Sequence, residues 1–191
     1  ITNAVMPICP MPEGFAPKEG ESVPVMLARA FAMAGVDHWK RTAAMLNAKA
    51  AALSPHGITL GYHNHNVEFA PLGRTTGWQI MVQETDSKLV PFEIDLGWVS
   101  AAGMDPAAFL LRHTGRVRWV HVKDVKASTK SNFALSMDPS EIGSGRLNWR
   151  RILTAARRAG VQHFYIEQEP PFSIPRMQAV EKSYGYLSKL V

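Results

Sequence analysis

The amino-acid sequence predicts an α/β protein built on a parallel sheet. Short apolar segments of strand length alternate along the chain with longer segments whose apolar residues recur every three to four positions, which is the period of a helix. Strands that alternate with helices are typical of a parallel sheet with helical crossovers. No low-complexity linker interrupts the alternation, so we expect a single domain over residues 1–191.

Five strands and five helices are predicted in order. The strands are residues 2–8, 58–62, 89–94, 117–122 and 164–166, and the helices are residues 25–34, 38–53, 106–114, 149–159 and 176–190. Asp37, Asp105 and Asn148 stand at helix starts, where a short polar side chain accepts hydrogen bonds from free backbone amides. Gly35 and Gly160 are expected to end helices, because glycine is a weak helix former and a common C-cap.

Two of the predicted helices show their apolar face directly in the sequence. These apolar positions are Trp39, Ala43, Leu46 and Ala50 in the helix of residues 38–53, and Met177, Val180, Tyr184 and Leu187 in the last helix. Spacings of three and four residues place each set on one side of its helix.

The composition is that of a globular protein, with 46% hydrophobic and 19% charged residues. The net charge is +5, and much of the basic excess lies in the predicted helices and their flanks. No basic run alternates with aromatic residues, so we expect a solvated helix face and no nucleic-acid partner. No apolar run reaches the length of a membrane span, so no membrane partner is expected either.

Cys9 is the only cysteine, and the chain starts at Ile1. A single cysteine excludes an intrachain disulfide and a CxxC metal site. This usage fits the cytoplasm and does not exclude the periplasm. Because the first residue is not methionine, we expect the natural N-terminus to be missing, and the compartment stays open.

Side chains of the types that bind metal ions stand where four successive predicted strands end. They are His63 with His65, Asp95, His121 and Glu167. The C-terminal ends of parallel strands in an α/β barrel meet at one face, where active sites are built. Any one of these residues alone is explained as a helix cap or a core histidine. Together they favour a site for Mn²⁺, Co²⁺, Zn²⁺, Fe²⁺ or Mg²⁺.

Several segments carry a resemblance to a known family. They are GYHNHNVEF, IDLGWVSAAGMDPAAFLLRHTGRVRWVHVKDV, IGSGRLNW, AGVQHFYIEQEP and EKSYGYLSKL. From about Ala4 onward the chain resembles the sugar phosphate isomerase/epimerase family, the xylose isomerase-like TIM barrel group that includes inosose dehydratases and ketose 3-epimerases. The resemblance implies a (β/α)8 TIM barrel with one divalent metal ion at its C-terminal face. It also implies that this chain carries only about strands 4–8, with the N-terminal part missing.

The resemblance also assigns roles to the residues at the strand ends. The family's metal ligands follow the order Glu, Asp, His, Glu, and Asp95, His121 and Glu167 match the last three. His63 stands at the first position, where the epimerases have a carboxylate. Glu167 is then expected to act as one catalytic base, and an imidazole or Glu68 as the second. One-base isomerisation, dehydration and β-elimination of a keto-sugar all stay open.

Five further residues are expected to bind the substrate. His65 is assigned to the substrate or to support of a ligand, and Trp98 to the apolar side of a sugar ring or to the core. Lys123 would hold a substrate oxygen or phosphate, and Asp124 would orient a ligand histidine, with a surface ion pair as the alternative for both. Glu169 would bind a hydroxyl group or face solvent.

The function predicted from the sequence is a divalent-metal-dependent isomerase or epimerase that acts on a small sugar or keto-sugar. A lyase or dehydratase on a keto-sugar or inosose, using the same metal site, is the alternative. A non-catalytic sugar-binding relative is the prediction from a different class. The sequence leaves open whether the protein forms a homo-oligomer.

Overall fold

The computed structural model describes residues 1–190, which fall into two compact units. The first unit comprises Ile1–Phe92 with Asn132–Leu135, and the second comprises Glu93–Ser131 and the chain from Ser136 onward. The elements of the first unit are β1 (Asn3–Met6), α1 (Val23–Ala32), α2 (Val36–Leu53), β2 (Thr59–His63) and α3 (Gly77–Glu84). The later elements are β3 (Phe92–Asp95), α4 (Leu96–Ala101), α5 (Pro106–Arg112), β4 (Val117–Val122), α6 (Trp149–Ala159), β5 (His163–Ile166) and α7 (Arg176–Leu187).

In the first unit, two parallel strands pair with each other, β2 packs against α2, and α2 packs against α3. β1 and β2 pair in register from Asn3 opposite Thr59 to Met6 opposite Tyr62. The apolar positions predicted for α2 are buried, and this face of α2 packs on α3 and β2. A side chain at Gly77 would collide with the Trp39 indole, so the close approach of α3 to α2 requires glycine there.

In the second unit, three strands follow one another in the order β3, β4 and β5 across the sheet. β4 and β5 are parallel, with Trp119 opposite His163 and Val122 opposite Ile166. α5 and α6 pack together. α6 buries its apolar side and exposes its arginines, as expected for a solvated helix face.

The predicted parallel α/β organisation is confirmed, and the main differences are at element ends. β3 begins later than predicted, because the amides of Leu89 and Val90 bond back to the Asp86 carbonyl in a turn. The prediction that Asp37 caps α2 was wrong, because α2 starts at Val36 and Gly35 occupies the cap position without a side-chain bond. Asp105 and Asn148 do cap α5 and α6 through their side chains.

Two short helices, α3 and α4, were not predicted. Thr76 caps the start of α3, because its hydroxyl accepts a hydrogen bond from the Gln79 amide. α4 has six residues and starts directly where β3 ends. A segment of that length spans less than two helical turns, so its apolar period cannot be recognised.

The last helix is present, but the apolar side named from the sequence is not its buried side. Met177, Val180 and Tyr184 are exposed, whereas Ala179 and Ser183 are buried. The Ser183 hydroxyl accepts a hydrogen bond from the Ile142 amide at 3.1 Å.

None of the helices that residues 1–190 form is both long enough and apolar enough to cross a membrane.

Candidate metal centre

Three of the residues predicted to bind a metal converge in the second unit. Asp95 is the last residue of β3, His121 lies one residue before the end of β4, and Glu167 directly follows β5. Because parallel strands end at the same edge of a sheet, their terminal side chains meet. Each of the three offers a coordinating atom, and these atoms lie within 4.8 Å of one another.

His121 is hydrogen-bonded through both ring nitrogens. Its Nδ1 lies 2.8 Å from Glu167 Oε2 and 3.8 Å from Asp95 Oδ2, and its Nε2 lies 3.0 Å from Glu93 Oε1. Burial lowers the pKa of His121, but the bonds to Glu167 and Glu93 outweigh it and raise the pKa to about 10. Without a metal, the ring is therefore protonated on both nitrogens and positively charged at neutral pH.

Asp95 uses its two oxygens for different purposes. Oδ1 accepts a hydrogen bond from the Trp98 amide at 2.9 Å and so caps α4. Oδ2 lies 2.9 Å from the Lys123 ammonium. Asp95 is therefore both the helix cap that a lone aspartate suggests and a member of a charged cluster.

Lys123 is buried among carboxylates, with only 1% of its side chain exposed. Its Nζ lies 2.9 Å from Asp95 Oδ2, 2.8 Å from Glu167 Oε2 and 2.6 Å from Glu169 Oε1. Burial lowers the pKa of Lys123, but the three carboxylates outweigh it and raise the pKa above its usual range. This ion pairing is internal, so the surface ion pair considered from the sequence was wrong for Lys123.

Glu167 is partly accessible, with 38% of its side chain exposed. Burial raises the pKa of Glu167, but the hydrogen bond from His121 and the charge of Lys123 lower it well below the usual carboxyl range. Glu167 is therefore ionised at neutral pH.

We call these side chains the ion cluster. Its members are Glu93, Asp95, His121, Lys123, Glu167 and Glu169. Four carboxylates face one ammonium and one imidazole, so negative charge is in excess even when the imidazole is protonated. Oxygen and nitrogen donors at these separations, with uncompensated negative charge, fit one divalent cation.

Sequence reasoning missed Glu93, which is buried and bonded to His121. Side chains two residues apart on a strand point to the same face, so the spacing of Glu93 and Asp95 was the signal that could have found it. A carboxylate bonded to one nitrogen of an imidazole fixes the other nitrogen for a metal.

Asp124, which the sequence assigns to the support of a ligand histidine, binds a loop of the second unit through its carboxylate. Its carboxylate accepts hydrogen bonds from the amides of Gly143, Gly145 and Leu147 and from the Trp149 indole. A side chain at Gly145 would collide with this carboxylate. Asp124 therefore organises the loop that leads into α6.

Trp98 is also buried, with its ring centroid 5.4 Å from Lys123 Nζ. This is within the range of a cation–π interaction. The packing role considered for Trp98 therefore accounts for its position.

In the first unit, the polar segment that follows β2 is held by Glu68. The Tyr62 hydroxyl donates to Glu68 Oε1 at 2.7 Å, and the His65 amide donates to Oε2 at 2.9 Å. Burial raises the pKa of Glu68. The His63 and His65 rings lie edge to face with centroids 5.1 Å apart, and His63 is buried.

Asn66 of the same segment binds another part of the first unit. Its Nδ2 donates to the carbonyl and side-chain oxygens of Asn132 at 2.9 and 2.8 Å, and its Oδ1 accepts from the Leu135 amide at 3.0 Å. This amide therefore fixes residues 132–135, a use that the sequence did not indicate.

The chain has parallel strands joined by helices, and its carboxylates and an imidazole gather at the C-terminal ends of the strands. These features define the class of α/β proteins that build an active site at the C-terminal edge of the sheet. The family model described as xylose isomerase-like TIM barrel matches residues 12–190. The chain therefore belongs to the xylose isomerase-like TIM barrel family.

Individual proteins of known name are also similar to this chain. It is 25% identical over 154 residues to inosose dehydratase from Geobacillus thermodenitrificans (strain NG80-2), a match that covers 73% of this chain and 50% of that protein. A solved sugar phosphate isomerase/epimerase from Parabacteroides distasonis ATCC 8503 has a TM-score of 0.67 and 23% identity, covering 81% of this chain and 55% of that one. The chain thus spans about half the length of these two proteins.

A third similarity is to the IOLI protein, whose structure was solved with a bound zinc atom. The TM-score is 0.61 and the identity 12%, and the match covers 100% of this chain and 63% of that one. At these identities the structural similarities support the fold.

Proposed function

We propose that this chain forms part of a divalent-metal-dependent enzyme that transfers a proton next to the carbonyl of a small sugar or keto-sugar, as sugar isomerases and epimerases do. The observation that carries the proposal is the convergence of Asp95, His121 and Glu167 within an ion cluster of excess negative charge. Family membership supports it, as does the zinc bound by the similar IOLI protein.

Asp95, His121 and Glu167 would hold one ion of Mn, Co, Zn, Fe or Mg. His63, in the first unit, is proposed as the fourth ligand from the resemblance alone. Such an ion would polarise the substrate carbonyl and stabilise negative charge on its oxygen. His121 would give up its proton on binding, because an imidazole coordinates only in its neutral form.

Glu167 is proposed as the base that removes the proton from carbon. It is ionised and partly exposed, so a substrate can reach it. Glu169, also 38% exposed, is proposed to bind a substrate hydroxyl, and His65 stays a proposed substrate contact. Glu68 is buried with both oxygens hydrogen-bonded, which favours a supporting role over that of a second base.

Dehydration of a keto-sugar or inosose is the second candidate. The Geobacillus relative is named inosose dehydratase, and His63 replaces the first carboxylate of the epimerase pattern. With Glu167 as the only proposed carboxylate base, Glu167 would take the proton from carbon and return it to the departing hydroxyl group, which leaves as water. This needs fewer residues than two-base epimerisation.

Metal content tests the proposal. We would reconstitute the chain with Mn²⁺ or Zn²⁺, remove unbound ions, and measure bound metal by elemental analysis in the wild type and in a D95N/H121A double variant. A D105N/H113A double variant changes the same residue types in the same unit outside the ion cluster. We expect one ion in the wild type and control and none in D95N/H121A. No ion in any of the three would overturn the proposal.

Proton exchange then separates the candidate reactions. Keto-sugars and inososes incubated with the metal-loaded protein in D₂O would be followed by NMR. Deuterium at the carbon next to the carbonyl, with a changed sugar, would support isomerisation or epimerisation, and loss of a hydroxyl group would support dehydration. Metal and sugar binding without either change would favour a sugar-binding relative.

A further inference from the structure

Lys123 occupies a place in the ion cluster that its proposed contact with substrate does not explain. An ammonium in a substrate site is expected to face the open pocket, yet Lys123 is almost fully buried. Its Nζ lies within 2.9 Å of oxygens of Asp95, Glu167 and Glu169. Two of these three acids are the ones proposed to bind the metal.

The fold provides a slot for the Lys123 side chain. A Cβ atom at Gly97 would lie 2.8 Å from Lys123 Cγ, so the stem of the lysine passes where α4 has no side chain. The ring of Trp98 lies beside the ammonium. The consecutive residues Gly97 and Trp98 thus position a cation between the acids.

We propose that Lys123 is an internal counter-ion that holds Asp95, Glu167 and Glu169 together in the metal-free protein and competes with the divalent ion for Asp95 and Glu167. Lys123 is a positioning residue on this view, because it acts through the ligands. The competition rests on the proposed function, whereas the stabilisation of the metal-free chain does not.

The counter-ion role and the competition with the metal predict opposite effects when the charge of Lys123 is removed. Without the ammonium, three carboxylates of the metal-free protein lose their shared partner, so the metal-free protein becomes less stable. The same loss leaves Asp95 and Glu167 more available to a metal ion and removes the repulsion between two cations. Metal binding therefore becomes tighter. A lysine whose ammonium lies away from the ligand carboxylates would not tighten it.

The test is a K123M variant of the full chain, with K182M as a matched control. Lys182 also pairs with a carboxylate of the second unit, at 3.2 Å from Glu141 Oε2, but is half exposed. Unfolding temperature is measured in EDTA and in saturating Mn²⁺, and Mn²⁺ affinity by calorimetry. We expect K123M to melt about 10 °C lower in EDTA and to bind Mn²⁺ about tenfold tighter or more. K182M should show neither change.

A G97A variant covers the case in which K123M does not fold without metal. Its added methyl group displaces the lysine stem and keeps the charge, so we expect smaller changes of the same signs. Unchanged Mn²⁺ affinity and unfolding temperature in these variants would overturn the inference and leave the proposed function intact. A lower unfolding temperature with no Mn²⁺ binding by any protein would overturn the proposed function and the competition, and leave the counter-ion role.

Discussion

Glu68 in the first unit and Glu167 in the second are both glutamates that follow a strand, Glu68 within the short helical turn Val67–Phe69 and Glu167 directly after β5. Their pKa values nevertheless move in opposite directions. Burial raises the pKa of Glu68, whose partners are the Tyr62 hydroxyl and a backbone amide. Burial also raises the pKa of Glu167, but the charged partners His121 and Lys123 reverse the effect.

The difference shows what each region is suited to do. Burial raises the pKa of Glu68 by more than its neutral donors lower it, so Glu68 serves to hold the segment between Tyr62 and His65 in place. Charged partners keep Glu167 ionised and available to a metal or a proton on carbon. The residue type is the same, but Glu68 is fully buried among neutral donors, whereas Glu167 is partly exposed and paired with cations.

The largest expected effect is on catalysis by an E167Q variant. Removing the proposed base should slow proton exchange on the active sugar by about 10²–10⁴-fold. An E68Q variant should retain the rate within about tenfold, since the buried acid is not proposed to touch substrate. Exchange into D₂O, followed by NMR, measures both.

An E181Q variant, which changes an exposed glutamate of α7, controls for loss of a negative charge in the second unit. If E68Q slows exchange as much as E167Q, the contrast between a supporting Glu68 and a catalytic Glu167 is wrong. Glu68 would then be the second base that the sequence left open.

A smaller effect is expected on the pH dependence of stability in E68Q. A carboxyl whose pKa is raised by folding stabilises the protein fully below its unfolded pKa of about 4.3, and this stabilisation is lost as pH rises through the folded pKa. Glutamine does not titrate. Its NH2 group would also face one of the two donors of Glu68, the Tyr62 hydroxyl or the His65 amide, and losing that hydrogen bond costs about 1–3 kcal/mol. The stability advantage of the wild type over E68Q should therefore shrink as pH rises.

Urea unfolding between pH 4 and pH 9, with EDTA present to remove metal ions, measures the difference in stability between the wild type and E68Q. An E84Q variant, at an exposed glutamate of the first unit, controls for the loss of charge. An advantage that grows with pH would mean that the ionised form of Glu68 is the stabilised one, and would remove the contrast with Glu167.

The sequence predicted the parts of the molecule that depend on local patterns. β4 matches its predicted bounds because the apolar segment of Val117–Val122 is followed by polar residues and a loop. The convergence of Asp95, His121 and Glu167 was predictable because it needs only strand direction and the rule that parallel strands end together.

The sequence did not predict what depends on contacts between distant segments. The burial of Lys123 requires the absence of a side chain at Gly97, and the role of Asp124 requires a loop that folds back onto it. Neither leaves a periodic signal near the residue concerned. Glu93 was missed although its two-residue spacing from Asp95 is visible, because buried acids within a strand are uncommon.

The smallest effect is expected at a third carboxylate, Glu21, which pairs with a cation outside the ion cluster. The guanidinium of Arg29 donates to both of its oxygens, at 2.9 and 2.7 Å, and this bond lowers the pKa of Glu21 to about 2. Folding lowers this pKa, so the contribution to stability is present above the unfolded pKa of about 4.3 and is lost as pH falls toward 2. An E21Q variant should therefore match the wild type at low pH and unfold at a slightly lower temperature at neutral pH. High salt should reduce that difference in unfolding temperature, because Arg29 is partly exposed and the ion pair is screened.

A difference in unfolding temperature that widened as pH fell would show that Arg29 does not set the pKa of Glu21. The expected result would instead show that a cationic partner lowers a carboxyl pKa at a second place in the chain, outside the ion cluster, as it does at Glu167.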